Sequence, residues 1–121
     1  MPSPWKDAEA CIERVARTHR ELVAMLEKHR QDFDGEVVAT LYLADVARWS
    51  TATYQAGRLS DVKAVLDTLD REHQSGDENL REVIDTGFVE ALASAGDGPA
   101  GLSSLLGPQL QQHYRRFFLG G

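Results

Sequence analysis

Apolar side chains recur at alternating intervals of three and four from the first residues of the chain. Trp5, Ala8, Ile12, Val15, His19, Leu22, Leu26, His29 and Phe33 form one such stripe. A 3-4 repeat keeps its members on one side of a helix, so this segment predicts a long helix packed on its neighbours along a seam. Ser3 is the candidate N-cap, and Pro4 fits the first helical position. Thr18 and Glu21 have capping-box spacing, which marks a candidate break near Thr18. Asp34-Gly35 ends the segment.

Residues 36–56 predict a second helix with apolar side chains nearly all the way round. Val37, Val38, Leu41, Tyr42 and Trp49 take one side, and Leu43, Val46, Ala47 and Tyr54 take others. Such a helix belongs at the centre of a bundle. Val37-Val38 is also a strand-like pair, but the length of the run and its alanines favour helix. Gly57 is a suitable stop. Ser60 is the candidate cap of a third helix, with Val62, Val65, Leu66 and Leu69 inward and Asp67-Arg71 as an i,i+4 pair. Ser75-Gly76-Asp77 makes a turn, with Asp77 as the next cap.

A fourth helix over residues 78–95 carries Leu80, Val83, Ile84, Phe88, Ala91 and Leu92 on one face. Gly87 falls on that face, where it costs about 1 kcal/mol against alanine, so close approach of another helix is expected there. Residues 96–99 read as a loop, residues 100–106 as a short helix, and residues 108–118 as a last helix docked by Leu110, Tyr114, Phe117 and Phe118. No strand alternation and no exact internal repeat appears. The expected fold is all-α: one domain over residues 1–121, a compact orthogonal bundle of five or six helices around the second.

A chain of 121 residues has the size of one domain and can bury a core without staples. Its 42% apolar and 26% charged residues are those of a globular protein rather than a disordered one. No apolar run approaches the ~20 residues that cross a membrane, and the start lacks a basic region followed by an apolar one. The single cysteine, Cys11, reads as a small core residue and fits a reducing, cytoplasmic setting.

The net charge of −6 is unevenly spread. Residues 59–97 hold ten acids against three bases, whereas residues 98–121 hold Arg115 and Arg116 and no acid. An acidic middle argues against nucleic acid and for a basic partner. Glu78, Glu82 and Asp85 step along the fourth helix opposite its apolar face, and Asp67 and Asp70 sit on the third. These five are the candidate partner-binding residues; a plain solvated face is the alternative reading.

Signs of chemistry are sparse. None of His19, His29, His73 and His113 stands at metal-motif spacing from another His, Cys or carboxylate, and His19 and His29 read as hydrogen-bonded seam residues. Gly96, Gly98, Gly101 and Gly107 form no phosphate loop, and Ser103 and Ser104 lack the strand that a nucleophile elbow needs. The terminal Leu119-Gly120-Gly121 reads as an unstructured end. No catalytic residue, metal or cofactor is expected. Asp45 lies inside the apolar arc of the second helix, with Arg48 one turn on. The leading reading of that pair is a structural ion pair tying the helix to a neighbour. A recognition spot, or catalysis with a nearby histidine, stands behind it.

Four runs carry a family likeness: residues 42–49 (YLADVARW), 65–70 (VLDTLD), 84–92 (IDTGFVEAL) and 105–108 (LLGP). Over residues 36–118 the chain resembles an uncharacterised family of small all-helical bacterial proteins, similar to candidate immunity proteins of polymorphic toxin systems. The resemblance implies an immunity or antitoxin-type inhibitor that binds and neutralises a toxin domain without catalysis. It supplies no catalytic residue to carry over. The alternative is a helical adaptor or homodimerisation module, with the first stripe as the seam between copies.

Overall fold

The structure is a computed structural model that describes residues 4–94 and 101–118, without the side chains of residues 4–6 and 118. The expected Ser3 cap, the Trp5 and Phe118 side chains, the 96–99 loop and the Leu119-Gly120-Gly121 tail lie outside the described residues. Among the described residues the chain is helical, with no strand. In order they are α1 (Pro4–Ala16), α2 (Arg20–Asp32), α3 (Ala39–Gln55) and α4 (Leu59–Ser75). Glu78–Ile84, a π-helical turn Asp85–Val89, and Glu90–Ser94 run on without a break as α5. A 3₁₀ turn, Leu102–Leu105, then leads to α6 (Pro108–Phe118).

The first apolar stripe spans two helices rather than one. At the break, Thr18 Oγ1 folds back to donate to Val15 O (2.7 Å), and His19 turns extended (φ −155°, ψ 138°). The N-cap is His19, not Thr18: its Nδ1 accepts from the Glu21 N–H at 3.1 Å. Periodicity could not separate these cases, because two helices packed on one core keep the same 3-4 spacing. The second runs back along the first, with Arg30 reaching Glu9 (3.4 Å) and Glu13 (2.9 Å). Ile12, Val15, Leu22 and Leu26 are buried in this packing, so the middle of the stripe belongs to the core of the monomer.

The β-branched pair Val37-Val38 stays out of α3, which starts at Ala39 rather than at residue 36. Asp34 (φ 55°) and Gly35 (φ 89°) turn the chain in the left-handed region. Val38 is then extended and donates its N–H to buried His29 Nε2 at 2.9 Å. The His29 ring lies against Phe33 and edge-on to Tyr42, the hydrogen-bonded packing expected of it. Ser60 falls inside α4, which is preceded by Arg58 without a side-chain cap. Gly57 (φ 81°) stops α3, and Asp77 Oδ1 caps α5 by accepting from the Leu80 N–H at 2.9 Å.

α3 packs against α1, α2, α4, α5 and the 3₁₀ turn, the central place its composition required. Its Tyr42, Leu43 and Val46 are fully buried with Leu66 and Leu69 of α4, Phe88 and Leu92 of α5, Leu102, and Leu110 of α6. Tyr42 Oη donates to Leu22 O at 2.8 Å, so its buried hydroxyl is satisfied; burial, with the charge of Asp45 beside it, raises its pKa. One strip of α3 remains open: Leu41, Arg48 and Ala52 are exposed.

Close approach at Gly87 is present. A Cβ there would stand 3.0 Å from Thr40 Cα and 3.0 Å from Leu43 Cβ of α3. Within the π turn Glu90 N–H reaches Asp85 O, five residues back, which inserts one residue into the helical count. Leu92 and Ala93 are therefore the buried pair near the end of α5, while Ala91 is only half-buried.

Two predictions follow from the packing. Gly87→Ala should destabilise the fold by about 1–3 kcal/mol in urea unfolding, although alanine is the better helix former, because the added methyl meets α3 backbone. A stabilising result would mean the helices can part. Cys11 is fully buried, and burial, then neighbouring Glu72, pushes its thiol from the ordinary 9.0 up to about 12. Its protonated form therefore favours folding fully below pH 9.0, and that contribution falls away as pH rises towards about 12. A thiol reagent at neutral pH should leave Cys11 unmodified until the protein is unfolded.

Candidate functional site

The expected acidic face does not assemble as one surface. Glu78 and Glu82 are exposed on α5, on the side away from buried Leu80 and Ile84. Asp67 is exposed on α4, in a shallow depression shared with Thr18, Ala64, Thr68, Asp70 and Arg71. Arg71, expected to pair with Asp67, donates to Thr68 Oγ1 instead (3.3 Å). Asp70 turns away from solvent. Both its oxygens lie 2.1 Å from where a Gly107 Cβ would stand, and Oδ1 is buried with no hydrogen-bond partner among the described residues. A glycine at the entrance to α6 makes room for this carboxylate, and the positive end of the helix favours an anion there.

Asp85 departs furthest from its expected place. Instead of facing water it sits at the start of the π turn with Oδ1 3.0 Å from His73 Nε2 and Oδ2 3.8 Å from His113 Nδ1. His113 Nε2 continues the chain to Glu90 Oε2 at 3.1 Å, and His73 Nδ1 meets Gln109 Oε1 at 2.9 Å. The path Gln109–His73–Asp85–His113–Glu90 thus joins α4, α5 and α6. His73 and His113 pair with carboxylates that stand at no motif spacing from them. The partners stand 12 and 23 residues away, beyond the reach of a local motif. One signal was present: His73 continues the buried series of Leu66 and Leu69 at helical spacing, so it had to point inward.

A carboxylate only accepts, so His73 Nε2 carries a proton. Nδ1 faces Oε1 of Gln109, and which side donates there follows from the ring tautomer and the amide orientation. Either way both nitrogens are engaged and the ring is buried. The arrangement braces three helices and leaves neither His73 nitrogen free for proton transfer to a ligand. From α5, Arg81 Nε donates to His73 O (3.0 Å) and Nη2 to Gln74 O (3.3 Å), closing the carbonyl end of α4. Among the described residues no group of three or more His, Cys, Asp or Glu side chains is placed to hold a metal ion.

Asp45 and Arg48 do pair, but at the surface and within α3. Their side chains are 48% and 65% exposed, so the pair ties α3 to no neighbour, and Asp45 meets a guanidinium rather than an imidazole. The apolar circuit of the helix could not show which strip would be left open.

A model of a domain family of unknown function, DUF7674, matches residues 12–120. The chain belongs to this family. The match takes in the C-terminal end of α1 and the whole of α2, which lie before the segment that carried the likeness in sequence. No curated protein and no solved structure matches this DUF7674 domain. No described helix is long and apolar enough to cross a membrane.

Asp85→Ala should cost about 1–3 kcal/mol of unfolding free energy, because it strips the hydrogen-bond partner from buried His73. Asp45→Ala should stay within about 0.5 kcal/mol, the usual worth of an exposed pair. Equal losses in urea melts of the two variants would show that Asp85 is no brace.

Proposed function

We propose that this DUF7674 domain is a non-catalytic protein-binding domain and, at finer grain, an immunity or antitoxin-type inhibitor that covers a basic toxin domain in the cytoplasm. One observation carries the reading. Asp67, Glu78 and Glu82 are exposed and enter no ion pair among the described residues, on two helices whose junction is capped and braced. Carboxylates fixed on rigid helices meet lysines and arginines of a partner at little ordering cost, which speeds encounter and discriminates among partners. Two like charges one turn apart, Glu78 and Glu82, are mildly unfavourable in the free protein and are relieved by a cation between them. The net charge of −6 and the likeness to candidate immunity proteins support the finer reading. Self-association through the first stripe has less support, since Ile12, Val15, Leu22 and Leu26 at its middle are buried within the monomer.

The test is capture with the tagged protein from its native lysate at low and high salt, then affinity measurement with the partner recovered. A basic toxin domain should be held in near-equal amount and released by salt. Asp67→Lys, Glu78→Lys and Glu82→Lys combined should weaken binding by about tenfold or more, with unchanged helicity by circular dichroism. Unchanged affinity would remove these acids from the contact. Recovery of the chain alone would overturn the inhibitor reading in favour of self-association.

A further inference from the structure

Most arginines near the middle of this acidic chain are already engaged. Arg14 pairs with Glu72, Arg30 with Glu9 and Glu13, Arg48 with Asp45, and Arg58 with Glu21 and Asp61. Arg17 and Arg71 are different. Both line a depression of about 520 Å³ between the turn after α1 and the middle of α4, together with Arg14, Thr18, Thr68 and Glu72. It continues into the depression of about 570 Å³ that Asp67 and Asp70 line, with Thr18, Thr68 and Arg71 common to both.

Among the described residues Arg17 enters no ion pair, and the Arg71 guanidinium makes one hydrogen bond, to the Thr68 hydroxyl. Asp67 stands one helical turn before Arg71, at the spacing where helix ion pairs form, yet no pair is made. Cation and anion therefore both remain open to the groove. The hydroxyl protons of Thr18 and Thr68 are committed to Val15 O (2.7 Å) and Ala64 O (3.0 Å). The donors left to a ligand are guanidinium N–H groups, whose planar fork matches a carboxylate. Asp67 on the rim repels a phosphate dianion or a polyanionic backbone, and it favours a ligand that carries a cation beside its anion.

We propose that this groove docks an acidic side chain of a protein partner, its carboxylate between Arg17 and Arg71 and an adjacent lysine or arginine of the same partner against Asp67. The inference rests on the protein-binding reading and sharpens it: the partner's contact surface carries an acid as well as bases.

The experiment titrates the ¹⁵N-labelled full chain with capped peptides of alternating Glu and Lys, of Glu alone, of Lys alone, and of alternating phosphoserine and Lys. The Glu-Lys peptide should shift the Nε–Hε signals of Arg17 and Arg71 and the amides of Thr18 and Thr68, and the shifts should saturate. Arg17→Gln with Arg71→Gln, both at exposed positions, should weaken that binding by about tenfold with the rest of the spectrum unchanged. Asp67→Asn should weaken the Glu-Lys peptide and strengthen the Glu peptide. Absence of groove shifts, shifts that survive the double substitution, or tighter binding of the phosphoserine peptide would overturn the proposal. The titration needs no natural partner, so its failure removes the groove, whereas failure to capture any partner removes the protein-binding reading itself.

Discussion

The backbone contact between α3 and α5 is the constraint on which the rest of the bundle depends. Helices normally keep side chains between them, at 8–10 Å between axes. At Gly87 that spacer is missing, and the α5 backbone rests on Thr40 and Leu43 of α3. The π turn coincides with this contact, spanning Asp85–Val89 around Gly87. It supplies the extra residue that lets α5 bury Phe88 and Val89 in the contact and still turn Leu92 and Ala93 into the core beyond it. In a regular helix of the same sequence Ala91 would share the buried face with Leu92; the extra residue turns Ala93 inward in its place.

That contact also sets the polar structure. With α5 held against α3, Asp85 at the start of the π turn faces the crevice where α4 and α6 converge, and Glu90 follows just past its end. His113 of α6 lies between the two carboxylates, and His73 of α4 meets Asp85 from its other side. The partly buried carboxylates are thus each met by an imidazole nitrogen, and three helices are joined at one place. Asp70 serves the same junction differently, by lying over Gly107 at the entrance to α6. Residues that look in sequence like a single acidic ridge divide into braces turned inward and carboxylates left in water.

The surface that remains is one of mixed charge. Glu78 and Glu82 face outward from α5, while Asp67, Arg17 and Arg71 border the groove between α1 and α4. Arg71 and Glu78 stand on either side of the α4–α5 turn, which Asp77 caps and Arg81 ties. Under the proposed protein-binding role, the backbone that carries these charges is ordered beforehand, which lowers the ordering cost of a contact.

Sequence by itself determined the helical class, the positions of the main turns, the central place of α3, the Asp77 cap and the close approach at Gly87. Each follows from a local cause: the 3.6-residue period, a side chain that can cap, a glycine on an apolar face. Tertiary structure decided what periodicity leaves degenerate. Whether the first stripe was one helix or two depended on the His19 and Thr18 side chains bonding to nearby backbone. Which strip of α3 stayed open, and hence that Asp45 and Arg48 pair in water, depended on where the neighbouring helices lay. The roles of His73, Asp85, His113 and Glu90 depended on residues far apart in the chain meeting across the π turn. A charge at the edge of a helical face carries no mark of what will pack beside it; only the packed bundle fixes its partner.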